Sequence, residues 1–368
     1  MSRSYSGLQP SPETAWCESP KAPSSESSDP LAEVEKRMQD AALAVSADLT
    51  SEMAVEHLST GGKRFRARLV IDAADALGAP RQAAIGWAAA VELLHNATLV
   101  HDDIQDGDRV RRGKATVWAR YGVEQAINAG DFLLMLPYLV VTELPVEPSL
   151  KASLTRVLAQ SAVACVRGQV SELQLKSLEF VPWPRYLEAV RGKTGALLAM
   201  AIEGSALLAG RSSSEAADIA ACFLPLGELF QMQDDVLDLY GEKGRSEPAS
   251  DIYEGKISAL VVAHLVRYPG DTRWLRALLD APRYATSSKD AQEAVQRIRV
   301  GGALADVLDH ISTIERKTRD SSVLEREPAL KKTALELCQL ALKPIAHLTD
   351  VSLAHDDSKK LPKGLRPC

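Results

Sequence analysis

LLHNATLVHDDIQDGDRVRRG, from Leu93 to Gly113, decides how this chain is read. It opens as an apolar helix, turns into carboxylates and ends in arginines. Asp102 and Asp106 stand four residues apart, so on a helix they share one face, with Asp103 about 100° round. His95 lies seven residues before Asp102 and falls on the same stripe. Two carboxylates one turn apart at the end of an apolar helix repel each other and lose solvation, a conflict that a cation resolves. Oxygen ligands with no nearby cysteine suit Mg²⁺, which keeps waters and shares its shell with substrate phosphates. Arg111 and Arg112 add guanidinium forks, which match phosphate oxygens. Alone, DDxxD is an ordinary acidic helix end. Joined to RRG, it reads as a diphosphate site.

The device returns in FQMQDDVLDLYG, Phe230 to Gly241, where Asp234, Asp235 and Asp238 repeat the spacing of Asp102, Asp103 and Asp106. Gln231, Asp234 and Asp238 fall at i, i+3 and i+7, one helical stripe. Two such motifs, each on an apolar helix, predict two walls of one cavity around a metal cluster.

The 368 residues are 46% hydrophobic and 25% charged, which fits a soluble globular protein with a sizeable core. A net charge of −6 argues against nucleic acid as main partner. Cys17, Cys165, Cys222, Cys338 and Cys368 are scattered, with no CxxC and no zinc spacing, which predicts a reduced, cytoplasmic setting. No uninterrupted apolar run approaches the ~18 residues of a membrane span; the longest, Phe132 to Val141, contains Pro137. The N-terminus has no apolar signal-type region.

In chain order, residues 1–30 are rich in Ser, Pro and Glu and predict a disordered tail. Residues 31–350 carry helical periodicity without sustained alternation, and residues 351–368 predict a polar tail. Gly and Pro gather in STGGKR, LGAPR, LPVEPS, VPWPR, GEKGRSEPAS, RYPG and LEREPA, the expected loops. Neither GxGxxG nor GxxxxGK[ST] occurs. The fold expected is all-α, a helical bundle around a central apolar cavity.

Further constellations gain meaning beside the acidic motifs. GGKRFRARL places Lys63, Arg64, Arg66 and Arg68 after a glycine pair; the glycines would let backbone approach an anion. RGKTGALLAM puts Lys193 and Thr194 just before a very apolar helix, and SDIYEGKIS supplies Lys256. Each lysine alone would read as a solvated charge, GQVSELQL as ordinary helix, and His95 as a core histidine.

Taken together and in this order, GGKRFR, LLHNATLVHDDIQD, RRG, GQ, KT, QMQDDVLD and GK resemble the trans-isoprenyl diphosphate synthases, the polyprenyl synthetase family. The resemblance implies the isoprenoid synthase fold over residues 31–350 and a Mg²⁺-dependent prenyltransferase. It joins an allylic diphosphate to isopentenyl diphosphate. By resemblance, Asp102, Asp103, Asp106, Asp234 and Asp238 are Mg²⁺ ligands, with Asp235 in the same catalytic group. Lys63, Arg66, His95 and Arg112 match the isopentenyl diphosphate site. Arg111, Lys193 and Lys256 match contacts to the allylic diphosphate, and Thr194 and Gln231 the polar groups beside the carbocation. A homodimer is implied as well. The family often has Pro where this chain has Ala67 and Ala115, and GK where it has Gly244-Arg245.

Ala97, where short-chain members tend to carry an aromatic, and Thr98, one turn below Asp102, are both small. A product of C20 or longer is therefore expected, first geranylgeranyl diphosphate. A long-chain polyprenyl synthase and a terpene cyclase of the same fold stay open. The four residues matching a second diphosphate site favour elongation over cyclisation. Two complete acidic motifs count against a non-catalytic partner subunit, and the apolar helices around them against a Mg²⁺-dependent phosphohydrolase.

Overall fold

The computed structural model describes residues 29–44, 47–241, 249–282 and 285–348. Most of the residues expected in the two tails, and Gly244-Arg245, lie outside these. The architecture is all-α, as the periodicity predicts. In the first half, α1 (Pro30–Ala44), α2 (Leu49–Leu58), α3 (Phe65–Leu77), α4 (Arg81–Asp106), α5 (Val117–Tyr121), α6 (Val123–Thr142) and α7 (Pro148–Leu175) follow one another. The second half runs through α8 (Trp183–Val190), α9 (Ala196–Leu208), α10 (Ser213–Ala221), α11 (Leu224–Tyr240), α12 (Ser250–Tyr253) and α13 (Ala259–Arg267). It closes with α14 (Thr272–Leu279), α15 (Ser288–Val300), α16 (Ala303–Arg319), α17 (Ser322–Glu325) and α18 (Pro328–Leu342).

α4 is the central post. Every residue from Ala83 to Leu94 is buried, so no polar face survives there, and the helix packs against α1, α3, α6 and α9. Its neighbours meet it through missing side chains. A Cβ on Gly86 would strike Leu144, and one on Gly204 of α9 would strike the ring of Trp87. α4 and α6 are long and apolar enough to cross a membrane by length and composition. For α4, 83% of the apolar window lies inside the protein, against 44% for α6.

One departure from all-α sits at RRG. Val110–Arg111 (β1) and Lys114–Ala115 (β2) pair antiparallel, and the two residues between them take positive φ, +52° at Arg112 and +77° at Gly113. That is the left-handed pair a two-residue hairpin requires. The arginines are thus presented by a tight hairpin rather than by an open loop.

Candidate active site

The last acid of the first motif, Asp106, is exposed because α4 stops there. Gly107 caps it in a left-handed conformation, its N–H bonding the carbonyls of Asp103 and Ile104. Carboxylates at a helix C-terminus oppose the helix dipole, so this end calls for cations. Lys193 Nζ lies 3.6 Å from Asp102 and 2.7 Å from Glu172. Burial pushes Asp102 up to about 6, against the pull of Lys193 and with help from Asp106. On Lys193 burial opposes the charge, but Glu172 and Asp102 outweigh it and the pKa rises. Asp103 faces away. It is buried and held by Arg111 at 2.6 Å.

Lys193 reaches this position through a backbone irregularity. Arg191–Gly195 form one π-helical turn between α8 and α9, a device that shifts side chains out of register with the preceding helix. Glycines let it nest: Gly192 packs on Gly168 of α7, and Gly195 on Gly227 of α11.

α11 is the second wall. Asp234 is exposed, whereas Asp235 and Asp238 are each 4% exposed. Asp235 accepts from Tyr186 Oη at 2.8 Å, Gln231 Nε2 at 2.9 Å and the Ala259 N–H at 2.6 Å. Burial pushes it up to about 6 although those three bonds pull the other way. Asp238 accepts from Ser250 Oγ at 2.6 Å and the Asp251 N–H at 3.0 Å. The stripe expected from Gln231 through Asp234 to Asp238 therefore splits. Gln231, Asp234 and Asp235 line the cavity, and Asp238 ties α11 to α12.

The resulting cavity, about 170 Å³, is lined by Asp106, Glu172, Lys193, Thr194, Gln231, Asp234, Asp235, Asp251 and Lys256. Lys256 sits 2.7 Å from Glu254 and 4.0 Å from Asp251; burial opposes its charge, yet these carboxylates raise its pKa overall. An adjoining groove of about 160 Å³ shares Lys193 and starts at Asp102. Its wall is mostly apolar: Leu94, Ala97, Thr98, Leu134, Ala162, Cys165, Val166, Val170 and Leu173. Leu134 faces this groove, whereas Leu133 is fully buried core.

The basic residues of GGKRFR separate. Arg66 Nη1 lies 3.0 Å from His95 Nε2. Burial lowers the His95 pKa well below the usual range, with Arg66 adding to the effect, so the ring is neutral. Arg64 turns inward to Glu35 and to the Leu58 carbonyl. Lys63 and Arg112 are exposed. Beside the glycine pair, the Arg112 guanidinium bonds the Gly61 carbonyl and fills the space where a Gly62 side chain would stand. Ala67 has a use that Pro could not serve. Its N–H and that of Arg66 donate to Glu92 at 3.0 and 3.1 Å, capping α3, whose own N-cap Arg64 makes no side-chain cap bond.

Glu172, Tyr186, Asp251 and Glu92 were not singled out from sequence. Glu172 lies inside GQVSELQL, one helical turn from Gly168, and was legible as a partner for a buried lysine. Tyr186 carried no local signal.

Among the described residues no three carboxylate, histidine or cysteine groups converge enough to hold a metal alone. The donor set still suits Mg²⁺. Asp106 and Asp234 face one cavity from two helices, with Asp102 beside it, all are oxygen donors, and Mg²⁺ takes one or two carboxylates and completes its shell with water and substrate phosphate.

Residues 47–298 match the polyprenyl synthetase family model. The chain is 33% identical over 299 residues to a short chain isoprenyl diphosphate synthase of Methanothermobacter thermautotrophicus, covering 78% of this chain and 90% of that one. It is 36% identical over 208 residues to a geranylgeranyl diphosphate synthase of Methanosarcina mazei, covering 56% and 64%. Among solved structures, a polyprenyl synthase from Caulobacter crescentus complexed with calcium and isoprenyl diphosphate superposes with a TM-score of 0.74. It is 27% identical, and the match covers 85% of this chain and 94% of that one.

Proposed function

Since the chain belongs to the polyprenyl synthetase family and is a trans-prenyltransferase, we propose that it condenses an allylic diphosphate with isopentenyl diphosphate in a Mg²⁺-dependent reaction, giving geranylgeranyl diphosphate. The observation that carries this reading is the pairing of an acidic, lysine-bearing cavity with an apolar groove at one shared residue, Lys193. The diphosphate is held in the first and its hydrocarbon chain lies in the second.

Asp102, Asp106 and Asp234 would hold Mg²⁺, which when bound neutralises charge developing on the departing diphosphate. Asp103 and Asp238 support them from outside the cavity. Lys193 and Lys256 bind the allylic diphosphate; each already rests against carboxylates at 2.7 Å, which would be exchanged for phosphate oxygens. Arg111, matched by resemblance to the allylic diphosphate, is held 2.6 Å from Asp103, which fixes the hairpin beside that site. As the C1–O bond of the allylic substrate breaks, its electron pair leaves with diphosphate. The double bond of isopentenyl diphosphate attacks C1, and the proton then lost goes to the departed diphosphate. Thr194 and Gln231 turn polar atoms toward the electron-deficient carbon, and the groove excludes water. Lys63, Arg66, His95 and Arg112 hold isopentenyl diphosphate: a neutral imidazole fixes Arg66 without competing for the anion.

A homodimer is part of the same reading. Val123, Ile127, Met135 and Leu139 on α6 and Val163 on α7 are exposed at helical spacing, an apolar face of the kind partners cover, interrupted on α6 by exposed Asp131. Sedimentation as a monomer at micromolar concentration would contradict it. A reducing, cytoplasmic setting is inferred from Cys165, Cys222 and Cys338, all free.

The decisive test incubates purified protein with Mg²⁺, isopentenyl diphosphate and each allylic primer. A C20 diphosphate is expected. Diphosphate release without a longer prenyl product would favour hydrolysis or cyclisation and sink the reading.

A further inference from the structure

Gln231 lines the cavity, and its amide must present either its oxygen or its NH₂ group to it. The two ends have nearly the same shape, so a hydrogen-bond partner decides. Asp235 is that partner. One of its oxygens, Oδ2, is occupied by the Tyr186 hydroxyl and the Ala259 N–H at 2.8 and 2.6 Å, which leaves Oδ1 for Gln231 Nε2 at 2.9 Å. An ionised carboxylate only accepts, so it takes the NH₂ end, and Gln231 makes no other side-chain hydrogen bond among the described residues. We propose that Asp235, pinned by Tyr186 and the Ala259 backbone, is a positioning residue that turns the Gln231 carbonyl oxygen into the cavity, where the allylic C1 becomes electron-deficient. The inference rests on the prenyl-transfer reading above and assigns Asp235 to orientation rather than to metal binding. Preorganised dipoles of the right sign stabilise charge as it develops at no reorganisation cost; the wrong end of the same amide would oppose it.

Asp235→Asn inverts the arrangement without changing shape. The Tyr186 and Ala259 donors hold the new amide oxygen at the Oδ2 position, so the new NH₂ group faces Gln231. Gln231 must then turn its own oxygen to that donor and its NH₂ into the cavity. Steady-state kinetics with Mg²⁺, isopentenyl diphosphate and the allylic primer should show kcat about 10²-fold lower, with KM for both substrates changed less than about threefold by this dipole reversal. Gln231→Glu in the Asp235→Asn background accepts the new donor and again presents an oxygen to the cavity. It should recover kcat at least about tenfold, whereas Gln231→Glu alone sets two carboxylates against each other and should lower it. A merely structural role for Asp235 gives no such rescue. Wild-type kcat in Asp235→Asn, or a double variant no faster than it, overturns the inference. Should Asp235→Asn not fold, Gln231→Glu alone decides: a tenfold fall in kcat at constant KM supports it, and wild-type kcat overturns it. If the native chain elongates no allylic diphosphate, the prenyl-transfer reading falls as well. If it elongates and Asp235→Asn does so as fast, only the orientation role is lost.

Discussion

The two acidic motifs have identical spacing and are used differently. In the first, Asp102 and Asp106 meet the cavities and the middle carboxylate, Asp103, turns to Arg111. In the second only Asp234 is exposed; Asp235 is saturated by three donors and Asp238 anchors α12. The cause is where each helix ends. α4 stops at Asp106, so its last acid stands in solvent. α11 runs on to Tyr240, and Asp238 is covered by Ser250 and Asp251 of α12. Spacing sets which residues share a helical face. It does not set which face the neighbouring elements leave open.

The sharpest way to break this comparison is to remove the acids one at a time. Asp106→Ala and Asp234→Ala should lower kcat by about 10³-fold while helical content and Tm stay near those of the native chain. EDTA should abolish activity and added Mg²⁺ restore it. Asp238→Ala should act through the fold, because Ser250 Oγ and the Asp251 N–H lose that acceptor. A loss of about 3 kcal/mol corresponds to a fall in Tm of roughly 4–5 °C in a chain of this size. Asp238→Ala with unchanged Tm but activity as low as that of Asp234→Ala would mean that the motifs are used alike after all.

A second contrast, between the arginine–histidine corner and the two lysines, predicts effects that separate by substrate. Arg66→Ala should raise KM for isopentenyl diphosphate by about ten- to a hundredfold, the loss of one charged contact. KM for the allylic primer should move far less. Lys193→Ala and Lys256→Ala should do the reverse. Equal shifts for both substrates would collapse the two sites into one.

A smaller effect tests the burial of the acids. Asp102 and Asp235 each sit at about 6 in the fold against an ordinary 3.8. Between those values the folded chain holds protons that the unfolded chain has released. Its stability should therefore fall as pH rises from about 4 to about 6 and stay at the lower level above that. Metal-free protein should show the fall in Tm, and Asp102→Asn should flatten it. A Tm that rises across this window would contradict the burial of these carboxyls.

The bundle was legible because helices leave a periodic trace, and the cavity because charged residues are costly to bury without chemistry to do. Asp106, Lys193, Thr194, Gln231, Asp234 and Lys256 come to one cavity from helices, and one loop, far apart in sequence. The hairpin under RRG was not foreseen, since two-residue strands have no period. Nor was Tyr186, whose hydroxyl reaches across the bundle to Asp235. The glycines of GGKR were legible as a close approach, but what approaches is Arg112. Sequence marks the missing side chain and leaves its visitor unspecified.

The smallest effect on rate, and the finest on outcome, concerns the groove. Ala97 and Thr98 stand one turn before Asp102 on α4, and both line it. Ala97 is 1% exposed, so its methyl group already touches its surroundings on all sides but the groove. Thr98 is partly open, its hydroxyl donating to the His95 carbonyl at 2.7 Å. Side chains this small leave the groove open toward Leu134, which also lines it, and this is the ground for expecting a chain longer than C15. Phe at either position would project across an opening whose far wall is Cys165, Val166 and Val170 of α7. Ala97→Phe and Thr98→Phe should therefore shift the main product from C20 to C15, while turnover of the first condensation stays within about tenfold, because neither residue carries charge to the reacting carbon. Thr98→Phe is expected to fold the better of the two, since overpacking a buried alanine costs about 1–3 kcal/mol. Product chain length, read after dephosphorylation, settles the matter. If the native chain already stops at C15, or if both folded variants still make C20, the growing chain takes another route than this groove.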